Sequence, residues 1–431
     1  MERYDVCIIG AGPSGYAAAM RALDFGKKVL LIEKDKVGGA GLYNGALSSK
    51  TLWELSKDIW HTRVKVTKYS SSSFFDLDYQ NIKKELAAAV SERKYQLESH
   101  LEGLKEGGFE DLFFFKQGSA KIVSKHELEI TNSKGTELIQ ADNIVIATGS
   151  RPRKLPHIPI DEKIIVTSDS VHHFEELPKS MVILGAGVIG CEYATIFSNF
   201  GQTKVSLIDK ADRILPFEDE DVSRIIEKNF EEENGILIHR NSKLERMEIK
   251  DGQVEYELSY HDGTTEIFHV EKALISVGRV PNTENLGLEE VGCKFDERGH
   301  LVATDTQTTV DNIYAIGDVT ADIALVNVGE LEGRHAIKKM FGFSKEHLSY
   351  DNISSIMFLK PLVASVGMNE KQCREKGICY RVVSIDYAAI PRAIAMRNPP
   401  GFFKILVTND DEMKVLGMRA LGVHASSAIQ G

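Results

Sequence analysis

The sequence predicts an α/β protein: two units of parallel strands and helices, followed by a smaller α+β domain. Three observations carry this. A strand, a glycine-rich turn, a helix and a second strand ending in an acid open the chain; the same pattern returns near the middle; and from Ser355 onward the chain changes to short alternating strands. At about 150 residues per domain, a chain of 431 residues suits about three domains.

The first unit starts with the apolar run Tyr4 to Ile9, which reads as a buried parallel strand. It runs into Gly10-Ala11-Gly12-Pro13-Ser14-Gly15, then an Ala-rich helix to about Phe25, a stop at Gly26, and a second buried strand, Val29 to Ile32, ending at Glu33. In that setting the glycines serve a tight turn, close backbone approach to a pyrophosphate, and close packing of helix on strand. The helix start supplies amides and positive dipole, and Glu33 can accept from ribose hydroxyls. The second unit repeats this with the strand Met181 to Leu184, the turn Gly185-Ala186-Gly187-Val188-Ile189-Gly190, a helix Cys191 to Phe200 closed by Gly201, and the strand Val205 to Ile208 ending at Asp209. These are Rossmann-like units. One chain that binds two dinucleotides usually passes electrons between them, and a flavin with a nicotinamide is the natural pair.

Between the units, Trp53 to Gly108 reads as helical segments broken by the serine run Ser70 to Ser73, a solvated turn. Phe113 to Ile130 alternates like β-strands, Ile144 to Ala147 is a buried strand, and Val254 to Thr264 and Lys272 to Val277 are β-rich. Ile313 to Ala315 is a strand, a helix follows from about Leu325 to Met340, and another spans about Glu370 to Lys376.

Composition narrows the function classes. Lys and Arg number 52 against 63 Asp and Glu, a formal charge of −11 that repels phosphate backbones, so no nucleic acid partner is expected. Five scattered cysteines suit a reducing compartment rather than a disulfide framework; Cys7 and Cys191 read as buried packing, Cys373 and Cys379 as surface or packing thiols. The start of the chain shows no signal-peptide pattern. No apolar run approaches the roughly 18 residues of a membrane span, so a cytoplasmic protein is expected. No metal site is predicted.

In these residues the chain resembles the pyridine nucleotide-disulfide oxidoreductase family, including dihydrolipoamide dehydrogenase, glutathione reductase and soluble pyridine nucleotide transhydrogenase. The matching motifs run in family order over nearly the whole chain: Gly10 to Gly15 with Glu33; Ala147-Thr148-Gly149; Gly185 to Gly190 followed by Glu192; Val277-Gly278-Arg279 with Pro281-Asn282; and Tyr314-Ala315-Ile316-Gly317-Asp318. The resemblance implies an FAD-binding domain at 1–150, an NAD-binding domain at 151–279, a return to the FAD domain at 280–350, and a dimerisation domain at 351–431. It implies that Gly10, Gly12, Pro13, Ser14, Gly15, Glu33, Lys34, Gly39, Ala40, Ala120, Thr148, Gly149, Gly278, Arg279, Gly317, Asp318 and Leu325 serve the cofactors, Asp318 at the ribityl and phosphate region of FAD. The nicotinamide nucleotide falls to Gly185, Gly187, Gly190, Glu192 and Asp209. A carboxylate at Asp209 favours NAD(H) over NADP(H), although Lys210 and Arg213 stand nearby.

The departures from the family are as telling. Its redox signature has two cysteines; here the ungapped run Gly38-Gly39-Ala40-Gly41-Leu42-Tyr43-Asn44-Gly45-Ala46-Leu47-Ser48-Ser49-Lys50 places Gly41 and Ala46 at those positions. Neither can be a nucleophile or a disulfide partner. The family's His-Pro-Thr segment with its Glu would follow the last residues, so the dimerisation domain reads as truncated, and His424 matches a helix-start residue before that segment. What the resemblance retains is Lys50, beside flavin N5, and its ion-pair partner Glu192, beside the nicotinamide. The expected protein is a dimeric flavoenzyme in which electrons leave reduced flavin directly for a small-molecule acceptor: a quinone, a second pyridine nucleotide or oxygen. Loss of two side chains is expected to open room for that acceptor. Thr167-Ser168-Asp169-Ser170 and Gly190 to Ala194 resemble transhydrogenases within the family. The alternative is a non-enzymatic flavin-binding or redox-sensing relative.

Overall fold

The computed structural model describes residues 1–70, 77–397 and 400–429. Ser71 to Ser73 of the predicted serine turn lie outside the described residues. The chain divides into two units: Met1–Ser49, Lys84–Arg153 and Arg279–Leu348 form one, and Lys50–Lys83, Lys154–Gly278 and Ser349–Gly431 the other.

The first unit is built on a mixed sheet in which the strand Arg3–Ile9 lies between Gly135–Ile146 and Val29–Glu33, all parallel, with Phe113–Gln117 and Ile313–Ala315 flanking them. Alternation along each strand divides its side chains between two cores. Cys7, Ile9, Leu30 and Ile32 face Ile122, Leu128 and Ile130, while Val6, Ile8, Val29 and Leu31 face the helices. The helix Pro13–Asp24 buries Ala18, Ala19 and Ala22 against Ala336 and Ile337 of the helix Val326–Met340. Small residues allow the two axes to close up: a Cβ on Gly333 would lie 2.4 Å from the Ser14 carbonyl oxygen.

Asp305 fastens the end of this unit. Its side chain, 7% exposed, meets Lys339 at 2.6 Å, His335 at 2.7 Å and His347 at 3.2 Å. It also accepts the Leu348 N–H at 2.8 Å. Burial pushes this carboxyl up, but Lys339, the Leu348 amide and His335 outweigh it and hold the pKa at about 2. A carboxylate lowered in the folded state stabilises fully above its unfolded pKa, near 4, and that contribution is lost as pH falls towards about 2. Asp305→Asn is therefore expected to cost about 2 kcal/mol at pH 7 and almost nothing near pH 2; denaturant midpoints of both proteins at the two pH values check this.

The second unit has a parallel sheet in the order Leu237–His239, Lys204–Ile208, Ser180–Leu184, Lys272–Ile275 and Ile165–Thr167. A three-stranded antiparallel sheet, Ser242–Lys250, Gln253–Tyr260 and Thr265–Val270, packs Met247, Val254, Tyr256 and Leu258 onto it. The helix Ala46–Tyr69, from Lys50 on, lies against the helix Val188–Phe200. Asn199 donates to Ser56 Oγ at 3.2 Å, and Arg63 donates to the Asn199 carbonyl at 2.9 Å, a cation at the negative end of the helix dipole.

The C-terminal part of this unit is an antiparallel sheet in the order Ser354–Met357, Val363–Gly367, Val415–Leu421, Phe402–Thr408 and Tyr380–Asp386. The outer strand Tyr380–Asp386 leaves Val382, Val383 and Ile385 at 40%, 57% and 50% exposure, an apolar edge of the kind that partners cover. Buried charges tie this sheet to the part of the unit that carries the parallel sheet. Lys404, 1% exposed, lies 2.8 Å from Asp219, 2.8 Å from Asp221 and 3.0 Å from Glu370, and Arg419 pairs with buried Glu218 at 2.8 Å. The lysine ammonium thus lies within hydrogen-bonding distance of all three carboxylates. Among the described residues, no helix is long and apolar enough to cross a membrane.

Candidate functional site

The two glycine loops are built alike. Gly10 (φ 108°) and Gly185 (φ 104°) turn the chain where an L side chain is strained. A Cβ on Gly15 would lie 1.9 Å from the Gly10 carbonyl oxygen, and one on Gly190 equally close to that of Gly185. Each loop then feeds a helix, Pro13–Asp24 or Val188–Phe200, whose N-cap, Gly12 or Gly187, offers no side-chain cap to the first amides. A Cβ on Gly12 or Gly187 would meet nothing within 4 Å, so open space lies in front of both helix starts. Uncapped amides facing an open cradle fit a pyrophosphate.

The acids do more than the sequence indicates. Glu33 Oε2 accepts the Ala11 N–H and Oε1 the Asp35 N–H, both at 2.8 Å. Asp209 repeats this with Ala186 at 2.7 Å and Ala211 at 2.9 Å. Each carboxylate thus locks its own glycine loop in shape while retaining further lone pairs that can accept. Arg213, one of the two cations that stand near Asp209 in the sequence, is committed elsewhere. Its guanidinium donates to the Glu218 carbonyl at 3.0 Å, Ser223 Oγ at 2.8 Å and the Pro216 carbonyl at 3.2 Å.

Distant motifs of the first unit meet around Ser150. Arg279 donates from Nε to Ser150 Oγ and from its second terminal nitrogen to the Ser150 carbonyl, both at 2.7 Å, and Ser150 Oγ donates to Asp318 Oδ2 at 2.7 Å. Thr148 Oγ1 donates to the Asn282 carbonyl at 2.7 Å, and Asn282 Nδ2 returns a bond to the Thr148 carbonyl at 2.9 Å. Gly149 and Gly278 provide positive-φ turns at 65° and 102°. The buried Glu332 accepts the Gly317 N–H and shapes the turn that carries Asp318. Ser150 and Glu332 escaped the sequence reading. Ser150 had a signal, since it follows the Ala147-Thr148-Gly149 turn directly; Glu332 had none beyond being an acid on a buried helix face. Leu325 is the uncapped start of the helix Val326–Met340. Ala120 has its methyl in the core, so only its main chain is available to a ligand, and Lys34 and Ala40 are exposed.

The segment before Lys50 lies on the first glycine loop: the Gly38 N–H donates to the Ala11 carbonyl at 2.8 Å, and a Cβ on Gly39 would sit 3.5 Å from Gly12 Cα. The expected extra room is not found at Gly41. A Cβ there would lie 2.4 Å from Pro13 Cγ and 3.0 Å from Cδ, so the proline ring already fills that space. A 960 Å³ cleft lined by Asp35, Lys36, Tyr43, Tyr95 and Gln117 opens nearby with a largely charged, exposed wall, and neither Lys50 nor Glu192 lines it. Cys7, Cys191, Cys293 and Cys373 are buried and Cys379 is exposed. Desolvation pushes the buried thiols of Cys7 and Cys191 up, away from the thiolate form. His424 stands at the N-cap of the short helix Ala425–Ala428.

In the second unit Lys50 and Glu192, far apart in sequence, meet as an ion pair of 2.7 Å, the lysine side chain 33% and the glutamate 7% exposed. A buried carboxylate needs a partner for each oxygen; Glu192 Oε1 takes the Phe358 N–H at 3.0 Å.

Two dinucleotide cradles in one chain, with a paired lysine and glutamate, define a flavin- and nicotinamide-dependent oxidoreductase. Residues 4–333 match the pyridine nucleotide-disulphide oxidoreductase family and residues 353–431 its dimerisation domain, and the chain belongs to that family, whose members bind FAD and NAD(P)H. A dihydrolipoyl dehydrogenase of Bacillus subtilis (strain 168) is 32% identical over 429 residues, covering 99% of this chain and 88% of the relative. One of Chlamydia muridarum (strain MoPn / Nigg) is 33% identical over 432 residues, with 99% and 89% covered. Among solved structures, the Cu(II) complex of the HOCl-induced flavoprotein disulfide reductase RclA from Escherichia coli is similar with a TM-score of 0.86 at 28% identity, over 100% of this chain and 92% of that one. LpdA from Mycobacterium tuberculosis gives 0.88 at 25% identity with the same coverage.

Proposed function

We propose that this chain is an FAD-dependent NADH oxidoreductase, acting as a homodimer, that passes electrons from reduced flavin directly to an acceptor other than a disulfide. The acceptor classes are a quinone, a second pyridine nucleotide, as in a transhydrogenase, or oxygen. The observation that carries this reading is the intact Lys50–Glu192 pair at the end of a segment in which Gly41 and Ala46 stand at the two thiol positions. FAD, when bound, supplies a two-electron centre that NADH reduces and an acceptor reoxidises.

The residues divide the work. The amides at Gly12 to Gly15 and at Gly187 to Gly190 would hold the two pyrophosphates, and Glu33 and Asp209 the riboses. Asp318, braced by Ser150, would take the ribityl and phosphate region of FAD. The Lys50 ammonium would offset negative charge on reduced flavin, and Glu192 keeps that ammonium placed. The commitment of Arg213 to Glu218, Pro216 and Ser223 supports NADH, because a 2′-phosphate would find beside Asp209 the ammonium of Lys210 and not the Arg213 guanidinium. The division into an FAD domain at 1–150 and 280–350, an NAD domain at 151–279 and a dimerisation domain at 351–431 is part of the proposal. So is burial of Val382, Val383 and Ile385 by a second copy.

An acceptor screen tests it. With NADH as donor, turnover is expected with a quinone, an NADP analogue or oxygen, and none with oxidised lipoamide or glutathione. Robust disulfide reduction would overturn the proposal.

A further inference from the structure

The Lys50–Glu192 pair is part of a closed circuit of contacts. Glu192 Oε2 takes Lys50 Nζ at 2.7 Å and Oε1 takes the main-chain N–H of Phe358 at 3.0 Å. The ring of the same Phe358 faces the lysine, with Nζ 4.8 Å from its centroid, inside the range in which an aromatic face attracts an ammonium. Trp53, one turn beyond Lys50 on the helix Ala46–Tyr69 and 7% exposed, meets that ring edge-on at 5.2 Å and fixes its tilt. Every contact lies within the second unit.

We infer that Phe358 is a positioning residue that sets the direction of the Lys50 ammonium; the inference rests on the proposed function only for what that ammonium does. A lysine side chain has four rotatable bonds, and its ammonium is a point charge that one carboxylate oxygen holds at a distance but not in a direction. With a third of its side chain exposed, Lys50 would be free to swing about Glu192 Oε2. The ring closes off that freedom. One residue therefore acts twice, its amide orienting the carboxylate and its ring orienting the cation, and the direction of the ammonium is defined by a residue of the C-terminal segment. The sequence marks Phe358 with no motif.

Phe358→Leu and Phe358→Met remove the ring face and keep the amide; the methionine conserves volume should the leucine variant fold poorly. Phe358→Tyr keeps both. The first readout needs no turnover: in the FAD-loaded protein labelled at lysine Cε, the Lys50 signal, assigned through Lys50→Arg, carries a ring-current shift expected to vanish in the Leu and Met variants and persist in the Tyr variant. The second is the flavin midpoint potential, expected to fall by up to about 30 mV, the equivalent of tenfold in the two-electron equilibrium, in Leu and Met alone. Reduction by NADH should slow three- to tenfold at unchanged NADH affinity. Leu and Met variants with an unshifted Lys50 signal and unaltered potential, or a Tyr variant as impaired as they are, would overturn the inference. If NADH reduces the parent protein and the Lys50 signal ignores the ring, positioning fails and the function stands. If NADH fails to reduce even the parent, the function fails and the lysine signal still decides the positioning.

Discussion

Glu192→Gln is expected to slow reduction of bound FAD by NADH about a hundredfold, and Lys50→Met by at least as much, with NADH affinity changed less than about threefold. Glutamine has the shape of glutamate and keeps the Phe358 N–H bond, so the variant removes charge and little else. Breaking one side of a largely buried, hydrogen-bonded pair costs about 2–5 kcal/mol, much of it from the charge left behind. At 1.36 kcal/mol per tenfold in rate, the middle of that range is about two to three powers of ten when the loss falls on the transition state. Affinity is spared because the pyrophosphate cradle at Gly187 to Gly190 and the acid Asp209 are built without the pair. Lys50→Arg separates charge from geometry: it keeps the cation but replaces a compact ammonium with a planar fork, and should fall between the parent and Lys50→Met. Anaerobic stopped-flow absorbance at the flavin band measures all three, and rates within threefold of the parent for both Glu192→Gln and Lys50→Met would contradict the role assigned to the pair.

Lys404→Met is expected to destabilise the protein by about 3–5 kcal/mol. Lys404 is 1% exposed and stands among Asp219, Asp221 and Glu370, of which Asp219 is 2% exposed. Burial alone would push its pKa down, but the carboxylates of Asp219 and Asp221 outweigh this and raise it, favouring the charged form. Methionine in its place strips Asp219 and Asp221 of their ammonium and leaves Glu370 only Arg374, at 3.7 Å. Asp221→Asn makes the contrast: at 44% exposure the aspartate is screened by solvent and should cost under about 1 kcal/mol. Adding Asp219→Asn to Lys404→Met should recover part of the loss by removing a stranded charge. Denaturant unfolding followed by tryptophan fluorescence and by circular dichroism compares the four proteins.

The sequence showed what is local. Strand, glycine turn, helix and acid all fall within about 30 residues of one another, so both cradles were legible, and family position joined Lys50 to Glu192. Contacts between distant segments were not. Phe358 reaches Glu192 across 166 residues, and Ser150 reaches Asp318 across 168, with no periodicity to announce either. The strand Ser242–Lys250 was missed because its outward face is charged; Arg246 pairs with Glu255 at 2.7 Å across the sheet, and such residues mask the apolar alternation around Met247, while in Thr265–Val270 the apolar Ile267 faces outward at 55% exposure and blurs the alternation. Gly41 misled in the other direction. Two small residues in place of larger ones suggested empty volume, but the volume at Gly41 belongs to Pro13, a neighbour set by the loop's fold and not by sequence proximity.

Electron counting tests the central claim most directly. FAD takes two electrons, one NADH supplies two, and a disulfide beside the flavin would take two more. Anaerobic titration of the FAD-loaded protein should therefore bleach the flavin completely with one equivalent of NADH per FAD and take up no more. Uptake of a second equivalent would reveal a second redox couple, and absence of bleaching would mean that NADH does not reduce this flavin; either result contradicts the account.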